Sequence, residues 1–307
     1  MNNPKPLVAI IMATYNGADF IREQIDSILR QRDVDVHFYI SDDGSRDETL
    51  AILHNYFQQY PQQFKKLFEV KFHHPAKNFL SILPKITQPY DYYAFSDQDD
   101  VWLEDKLATA ISKLTSGHAL YCGRTENVNY HLQSYGYSPL FSFPPSFKNA
   151  IVQSIAGSNT MVFNRSIFEL LQPSFNYEVP MHDWWTYLIT TFAGHSVYYD
   201  PMPKVLYRQH SHNFNGHNIG IRSQLKRIWY GLLGRYQYWN NLNELNLLEY
   251  LDYATRDNLK IFYQFQFLRK KSNFQNFNPN YINRVGIYRQ TVFGNWMLKL
   301  SLFLKRA

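Results

Sequence analysis

Three groups of acidic residues could do chemistry, because each follows a short apolar run or opens an apolar helical pattern in this 307-residue chain. The first is Asp42-Asp43, the second runs from Asp97 to Asp100, and the third contains Asp183. Carboxylates that gather in one place repel one another unless a cation or hydrogen-bond donors neutralise them. The groups therefore indicate a divalent-metal site, provided that the fold brings them together.

The sequence between these groups predicts that they converge. Short β-rich runs alternate with amphipathic stretches, which is typical of βαβ units in a mainly parallel α/β sheet flanked by helices. The carboxyl ends of such strands share one edge, where ligands bind. The predicted strands are Leu7–Ala13, Val36–Ser41, Phe68–His73 and Tyr92–Phe95.

Beyond the second acidic group the pattern is less regular, and residues 118–145 resist assignment. From residue 221 onward it becomes helical. The further elements that we predict are a helix over Glu104–Ser116, a strand at Asn159–Phe163, a helix over His182–Phe192, and strands at Ser196–Tyr199 and Val205–Tyr207.

The basic charge of the chain is concentrated near its C-terminal end. Residues 1–220 carry 17 Lys/Arg against 21 Asp/Glu, whereas residues 221–307 carry 14 against 4. A basic segment rich in aromatic residues suits an anionic membrane surface, and it lacks a recognised nucleic-acid module. We therefore expect a membrane rather than a nucleic acid as its partner. For the last helix, packing on the core remains an equal alternative.

Cysteine usage and hydropathy bear on location. Cys122 is the only cysteine, so an internal disulfide is impossible and a reducing compartment is the simpler interpretation. The apolar run after Pro6 is too short for a signal segment, and no run of roughly 20 apolar residues is present. We expect a cytoplasmic protein whose membrane contact, if any, is peripheral and at the inner face.

Three strings in the first hundred residues resemble the motifs of the family 2 inverting glycosyltransferases, and in particular their rhamnosyltransferase-like branch. They are Val8–Asn16, Ser41–Asp47 and Phe95–Asp100, in the family's order and spacing. The resemblance covers roughly residues 7–215 and implies a GT-A fold. It also implies a nucleotide-diphosphate sugar donor, a Mn²⁺ or Mg²⁺ ion and a glycan or lipid-linked glycan acceptor, as in bacterial surface polysaccharide synthesis.

The resemblance also divides the chain and assigns donor-binding positions. A GT-A catalytic domain would span residues 1–220, with the nucleotide-sugar part over 1–117 and the acceptor part over 118–220, followed by a helical basic extension over 221–307. The implied nucleotide and donor contacts are Thr14, Tyr15, Asn16, Asp42, Asp43, Lys77, Asp97 and Gly157.

The catalytic positions follow in the same way. Asp97-Gln98-Asp99 stands where the family has its D-x-D motif, and His210 resembles a histidine that joins the metal or the diphosphate. Whether Asp99 or Asp100 is the inner-shell ligand stays open. Asp183 is the implied catalytic base, although His182 replaces the Glu that precedes it in many relatives. We predict that Trp184 or Trp185 forms the acceptor platform, since flat aromatic faces suit sugars.

Two other classes of protein fit parts of the pattern. Asp97 and Asp99 after an apolar strand also match the nucleophile and acid/base of haloacid-dehalogenase-type phosphohydrolases. Such enzymes usually carry the motif on their first strand, however, and here three strand–helix units precede it. A non-catalytic glycan-binding protein is the second of these classes, but it has no need for donor, metal and base positions together.

Overall fold

The computed structural model of the chain describes residues 4–210, 234–271 and 279–306, and strands form its centre. Eleven strands are present in this part of the chain: β1 Leu7–Thr14, β2 Asp35–Asp42, β3 Phe64–Glu69, β4 Tyr92–Ser96, β5 Val101–Trp102, β6 Leu120–Gly123, β7 Glu126–Val128, β8 Ser134–Tyr137, β9 Val162–Asn164, β10 Val197–Asp200 and β11 Val205–Arg208.

Seven of these strands make the main sheet, in the order β10-β6-β9-β4-β1-β2-β3. Its neighbouring strands are parallel except at β9, which runs antiparallel to both β4 and β6. The register pairs Thr14 with Asp42 and Met12 with Ser96, so the loops that follow β1, β2 and β4 leave the sheet side by side. The predicted α/β sheet is confirmed.

Helices cover both faces of this sheet. They are α1 Ile21–Leu29, α2 Thr49–Gln59, α3 Pro75–Ile82, α4 Lys106–Thr115, α5 Phe147–Ala150, α6 Arg165–Leu171, α7 His182–Phe192, α8 Arg235–Leu247, α9 Arg256–Lys271, α10 Pro279–Val285 and α11 Val292–Phe303. Strand β1 shows why both faces need cover, because Ile10 and Ile11 are fully buried in two different apolar clusters. A strand buried on both sides reads as a continuous apolar run.

A smaller sheet in the order β5-β11-β7-β8 anchors the second acidic group. Val101 and Trp102 of β5 directly follow that group and pair antiparallel with Leu206 and Val205 of β11. This pairing brings the end of β11, at Arg208, next to the acidic loop. Two segments about a hundred residues apart in sequence are thereby joined.

The C-terminal helices pack on the main domain through one continuous core. Phe262 and Phe265 of α9 and Leu302 of α11 are fully buried in the same apolar cluster as Phe163 of β9 and Trp185 of α7. Of the two alternatives for the last helix, packing on the core is therefore observed for one of its faces. The predicted boundary near residue 220 lies outside the described residues.

Some predicted boundaries differ from the structure. The third strand occupies Phe64–Glu69, four residues before its predicted start, and the predicted strand at Asn159–Phe163 is a 3₁₀ turn followed by β9. The division at residues 117 and 118 falls between α4 and β6, and both halves supply strands to the main sheet. In the described part of the chain, none of the helices is both long and apolar enough to span a bilayer.

Candidate active site

A cavity of about 700 Å³ opens at the carboxyl edge of the main sheet. Its polar wall combines carboxylates from all three acidic groups with imidazoles: Asp43, Asp97, Asp99, Asp183, His73, His74 and His182. The predicted convergence of the acidic groups on one site is thus observed. No Lys or Arg belongs to the wall that residues 4–210, 234–271 and 279–306 form.

The loop after β1 is held by the loop after β4. Gln98 accepts a hydrogen bond from the Tyr15 amide at 2.9 Å and donates one to the Tyr15 carbonyl, also at 2.9 Å. Gly17 leaves room for this clamp, because a Cβ there would lie 2.2 Å from the Gln98 Oε1. Thr14 and Tyr15 line the cavity, and their contact with the donor stays a prediction.

Asn16 does not line the cavity but shapes the loop. It adopts a left-handed backbone with φ 47°, a conformation in which Asn is enriched among non-glycine residues. Its amide N donates to the Ser45 Oγ at 2.8 Å, and its side-chain Oδ1 accepts from the Arg46 amide at 2.8 Å. Asn16 therefore joins the loops after β1 and β2.

Asp42 is fully buried and does not face the cavity, so its predicted contact with the nucleotide is wrong. Its carboxylate accepts hydrogen bonds from the Thr14 Oγ1 at 2.7 Å and from the Ser45 amide and hydroxyl at 2.8 and 2.6 Å. A carboxylate saturated in this way fixes the turn that follows β2. Its role is to hold Asp43 in place.

Asp43 lines the cavity and orders the segment that leads into α3. It accepts hydrogen bonds from the backbone amides of Phe72 at 2.5 Å, His73 at 3.0 Å and His74 at 3.2 Å. His73 and His74 thereby reach the cavity wall, a role that the sequence did not predict. The available signal was Pro75 after His74, because proline favours the first position of a helix and so marks His74 as a capping residue.

Lys77 is exposed on α3 and does not line the cavity, and its contact with the diphosphate stays a prediction. The neighbouring Asn78 is buried in the wall instead. Its Nδ2 donates to the Ser41 carbonyl at 3.1 Å and to the Thr14 carbonyl at 3.5 Å. One turn of a helix has a buried and an exposed face, and Asn78 occupies the buried one.

The second acidic group divides between cavity and interior. Asp97 and Asp99 line the cavity, whereas Asp100 is fully buried and accepts from the Asn159 Nδ2 at 2.6 Å and the Arg208 amide at 3.2 Å. Burial, with Asp99 and Asp183 nearby, raises the pKa of Asp97 to about 7. Between the two carboxylates that the sequence left open, Asp99 is the one that faces the cavity.

His210 lies behind Asp99 and does not face the cavity. Its Nε2 is 2.9 Å from the Asp99 Oδ2, and its ring stacks on Phe20 with centroids 4.6 Å apart. Arg208 lies over the same Phe20 ring at 4.8 Å, donates to the Asp99 carbonyl at 3.1 Å and pairs with Glu23. Phe20 and Glu23 were missed, because nothing in their local sequence signals contact with residues nearly two hundred positions away.

These residues fit a divalent cation. Oxygen ligands suit Mg²⁺ and Mn²⁺, and Asp97 and Asp99 supply two carboxylates whose mutual repulsion a cation would relieve. His210 orients Asp99 through a hydrogen bond, as outer-shell groups commonly do for ligating carboxylates. Within the described ranges, no group of three or more His, Cys, Asp or Glu side chains is already arranged as a metal cage. The protein would thus provide only part of the coordination.

Asp183 stands in the first turn of α7 and lines the cavity. Burial raises its pKa to about 6, although the Trp184 amide donates to its Oδ1 at 2.6 Å. The adjacent His182 stacks on Phe79 with centroids 4.0 Å apart. Burial and the neighbouring His74 lower the pKa of His182 to about 3, so the imidazole beside Asp183 is neutral.

Trp184 and Trp185 are both buried, so the prediction that one of them forms an acceptor platform is wrong. The Trp184 Nε1 donates to the Ala150 carbonyl at 2.6 Å, and the Trp185 Nε1 donates to the Ser174 Oγ at 2.8 Å. Both indoles pack α7, whose residues are all buried, against its neighbours. Their role is to fix the helix that carries Asp183.

The turn before β9 completes the wall beside Asp97. Gly157 and Ser158 line the cavity, and the Ser158 Oγ lies 3.4 Å from the Asp97 Oδ1. A Cβ on Gly157 would be 2.8 Å from the Asn159 Oδ1, so a side chain there would disturb the residue that holds Asp100. The predicted small-residue position at Gly157 therefore lies in the cavity wall.

Comparisons with known proteins identify the family. The sequence pattern of "Glycosyl transferase family 2" matches residues 9–171, more than half of the chain. The chain is 32% identical over 241 residues to a Shigella flexneri protein named "dTDP-rhamnosyl transferase RfbG", and this match covers 71% of the chain and 78% of that protein.

Two solved structures share the fold over nearly the whole chain. S. aureus TarS 1–349 in complex with UDP-GlcNAc has a TM-score of 0.57 at 15% identity, covering 98% of this chain and 89% of that one. The mannosyltransferase PcManGT from Pyrobaculum calidifontis, in complex with GDP-Man and Mn²⁺, has a TM-score of 0.50 at 14% identity, covering 99% and 86%. These likenesses show a GT-A type fold, and the sequence matches show that the chain belongs to glycosyl transferase family 2, as a rhamnosyltransferase-like member.

Proposed function

We propose that this glycosyltransferase moves a sugar from a nucleoside diphosphate to a glycan hydroxyl with inversion at the anomeric carbon. The observation that carries the proposal is that Asp43, Asp97, Asp99 and Asp183 line one cavity although they come from three separate parts of the chain. Some of these carboxylates would bind a metal ion that in turn binds the diphosphate. Another would be the proton acceptor. The family membership gives no support to the phosphohydrolase or to the non-catalytic alternative.

Asp183 is the proposed general base. Its carboxylate accepts the proton of the acceptor hydroxyl while that oxygen forms a bond to the anomeric carbon. The bond from the anomeric carbon to the phosphate oxygen breaks, and the nucleoside diphosphate leaves from the opposite face. One displacement inverts the configuration, so no covalent nucleophile is needed. With a pKa of about 6, Asp183 is mostly ionised at neutral pH.

Asp99 and Asp97 would hold the divalent cation, and His210 would orient Asp99. The cation supplies positive charge against which the leaving diphosphate is stabilised, a contribution of several kcal/mol in such enzymes. The wall offers no Lys or Arg among the described residues, so this need is not met by a permanent side-chain cation there. The Gln98 clamp and the Phe20 stack keep the acidic loop in one position.

We infer a dTDP-linked deoxyhexose, dTDP-rhamnose, as the donor. One support is the 32% identical relative, whose name specifies a dTDP-rhamnosyl transferase. A second is the wall next to Gly157 and Asp183, where Ala156, Pro180 and Met181 are apolar. Apolar side chains suit the methyl group of a 6-deoxy sugar better than a hydroxymethyl group, because a buried hydroxyl needs a hydrogen-bond partner.

The proposed acceptor is a glycan of a bacterial surface polysaccharide, carried by a lipid at the inner face of the cytoplasmic membrane. Phe141 and Ile155 form an apolar part of the cavity wall on the side of the C-terminal helices. In the sequence of residues 221–307, the excess of 14 Lys/Arg over 4 Asp/Glu suits an anionic membrane surface. The buried thiol of Cys122 needs no oxidising compartment.

A donor screen tests the proposal. The purified chain is mixed with Mn²⁺ or Mg²⁺ and with dTDP-rhamnose, UDP-GlcNAc or GDP-mannose, and its melting temperature is measured. We expect dTDP-rhamnose with a cation to raise the melting temperature most, because a ligand that binds only the folded state stabilises it. Slow release of dTDP should accompany this effect. Failure of every nucleotide sugar to stabilise the chain, with either cation, would reject the proposed function.

A further inference from the structure

The last helix, α11, has two apolar faces. Leu298 and Leu302 are buried in the core. A second set of large apolar side chains on or just beyond the helix is exposed to solvent, with Trp296 at 72%. At 100° per residue these side chains span an arc of about 120°. We call this set the apolar ridge: Val292, Phe293, Trp296, Leu300 and Leu304.

The apolar ridge is unusual for a surface in water. Exposed apolar residues scattered singly are normal, whereas a contiguous patch marks an interaction site. Phe293 and Trp296 are both more than half exposed, and neither ring makes an aromatic contact with the described part of the protein. The energetic cost of leaving such rings in water predicts a partner that covers them.

The charge around the ridge selects the partner. Residues 291–307, which contain the ridge, include three Lys/Arg and no Asp/Glu. Lys299 lies within α11, and Lys305 and Arg306 follow it directly. A second copy of this chain on a two-fold axis would bring these like charges together, because such an interface joins the same patch on both subunits. A partner with an apolar interior and anionic surface groups would suit both the apolar ridge and the cations beside it.

We propose that the apolar ridge docks on an anionic lipid bilayer, with α11 lying in the plane of the interface. The helix has 12 residues and is about 18 Å long, so it lies on the membrane and does not cross it. The ridge inserts at the boundary between headgroups and acyl chains, and the three cations pair with anionic headgroups. Trp296 occupies the headgroup level, where Trp is enriched in membrane proteins.

The connection between α11 and the cavity wall links this docking to the proposed function. The segment just before α11 is joined to the loop that carries α5, since Gln290 Nε2 donates to the Phe143 carbonyl at 2.9 Å and Asn149 Nδ2 donates to the Tyr288 carbonyl at 3.0 Å. The chain on either side of that loop lines the cavity, at Phe141 and Ile155. Docking would thus hold the acceptor side of the cavity near the bilayer. This step rests on the proposed function; the docking itself does not.

Vesicle flotation with the full chain tests the proposal. Phosphatidylcholine vesicles with or without phosphatidylglycerol are mixed with the wild type, with Phe293→Ser/Trp296→Ser and with Lys299→Gln/Lys305→Gln/Arg306→Gln. Met202→Ser is the matched control, because Met202 is 66% exposed on the turn between β10 and β11. We expect the wild type and the control to float with anionic vesicles. The affinity of the ridge variant for anionic vesicles should be about tenfold lower than that of the wild type. The charge variant should lose its preference for phosphatidylglycerol.

Three outcomes would overturn the docking proposal. One is wild-type protein that does not float with anionic vesicles, and another is a ridge variant that floats as well as the control. The third is a dimer in gel filtration that the ridge variant converts to a monomer, which would assign the ridge to a second copy. Stabilisation by dTDP-rhamnose is measured on the same samples, so loss of docking with retained stabilisation rejects the docking alone. Docking without any nucleotide effect rejects the proposed function alone.

Discussion

At the scale of single residues, the site is organised by unfavourable burial of negative charge. Burial raises the pKa of Asp97 to about 7 and that of Asp183 to about 6, both far above the ordinary carboxyl value of 3.8. The two residues are close enough for the charge of Asp183 to raise the pKa of Asp97 further. A folded protein tolerates this arrangement when binding or catalysis needs it.

Replacing Asp183 by Asn should abolish transfer while preserving donor binding. The amide has almost the same shape but cannot accept the acceptor proton, so we expect a loss of at least about a hundredfold in kcat. Initial rates with dTDP-rhamnose and a glycan acceptor measure this loss, and the dTDP-induced shift in melting temperature measures binding. Unchanged turnover would show that Asp183 is not the base. The equivalent change at Asp200, which is buried and does not line the cavity, serves as the control.

The same substitution should make the protein more stable at pH 8. A carboxyl whose pKa is raised from 3.8 to about 6 on folding binds its proton more tightly in the folded state, so the free energy of unfolding falls as pH rises through this range. A pKa that is about two units higher in the folded than in the unfolded state lowers the free energy of unfolding above that pH range by about 3 kcal/mol. We expect Asp183→Asn to remove most of this cost, which thermal unfolding at pH 4 and pH 8 can measure: the variant should gain at pH 8 only.

The rate of transfer should depend on pH through the ionisation of Asp183. Only the deprotonated carboxylate accepts a proton, so activity should rise with pH through about 6 and level off above it. Below the pKa, each pH unit should cost about tenfold in rate. A rate that stays flat between pH 5 and pH 8, in an enzyme that remains folded, would contradict the assignment.

At the scale of elements, the site depends on loops that brace one another across the sheet edge. Gln98 makes two hydrogen bonds to the Tyr15 backbone, and the Asn16 amide donates to Ser45. Asp42 in turn accepts a hydrogen bond from the Ser45 hydroxyl and so fixes the turn that contains Ser45. Parallel strands in register make this possible, because their loops emerge next to one another. The cavity wall is therefore rigid mainly through contacts between loops.

Gly17→Ala tests the clamp. A Cβ would lie 2.2 Å from the Gln98 Oε1, so the glutamine must move and its two hydrogen bonds to Tyr15 are lost. We expect donor binding to weaken about tenfold and stability to fall by about 1–2 kcal/mol. Gln98→Ala should have a similar effect, and the double variant should be no worse than either single one. Additive losses in thermal and donor titrations would mean that the two residues act separately.

The elements also show which parts of the fold sequence patterns can predict. Strands β1, β2 and β4 and helix α7 were predicted to within about two residues, because continuous apolar runs and strong periodicity mark buried elements. Strand β3 lies at the sheet edge with mostly half-exposed residues, and such a pattern does not fix its ends. The turn at Gly157–Thr160 reaches the cavity because β9 is antiparallel, so its start lies where its neighbours end.

The site residues divide in the same way. Asp43, Asp97, Asp99 and Asp183 were predicted and line the cavity. The predicted residues that do not line the cavity depend on which way a side chain points. Lys77 and Trp184 lie within a residue of cavity-lining positions, and one step along a helix turns a side chain by about 100°. Local sequence does not reveal which of two adjacent helix residues faces the cavity.

At the scale of the whole molecule, the C-terminal helices form part of the catalytic domain's core. Leu247, Tyr250 and Phe262 are buried in the same apolar cluster as Phe147 and Leu188. Gln290 is buried where the segment before α11 meets the loop that carries α5, and accepts from the Phe143 amide at 3.0 Å. The part of the cavity wall that contains Phe141 and Ile155 is therefore stabilised by residues far beyond the family's matched segment, which ends at residue 171.

Gln290→Ala should affect the acceptor more than the donor. Removing the side chain leaves the Phe143 amide and carbonyl without these partners, which costs about 1–3 kcal/mol when such groups are buried. We expect a higher KM for the acceptor and little change in the stabilisation by dTDP-rhamnose. Gln58→Ala, at an exposed position on α2, is the control. Equal losses for donor and acceptor would indicate general destabilisation.

The contact between Gln290 and the segment around Phe143 determines where the chain can be shortened or tagged. Trimming the chain back from its C-terminal end to obtain a shorter catalytic fragment would strip a supporting layer from the cavity wall. A loss of activity in such a fragment would say little about membrane attachment. Purification tags and fusion partners are better placed before Leu7, where β1 begins at the sheet edge opposite the cavity.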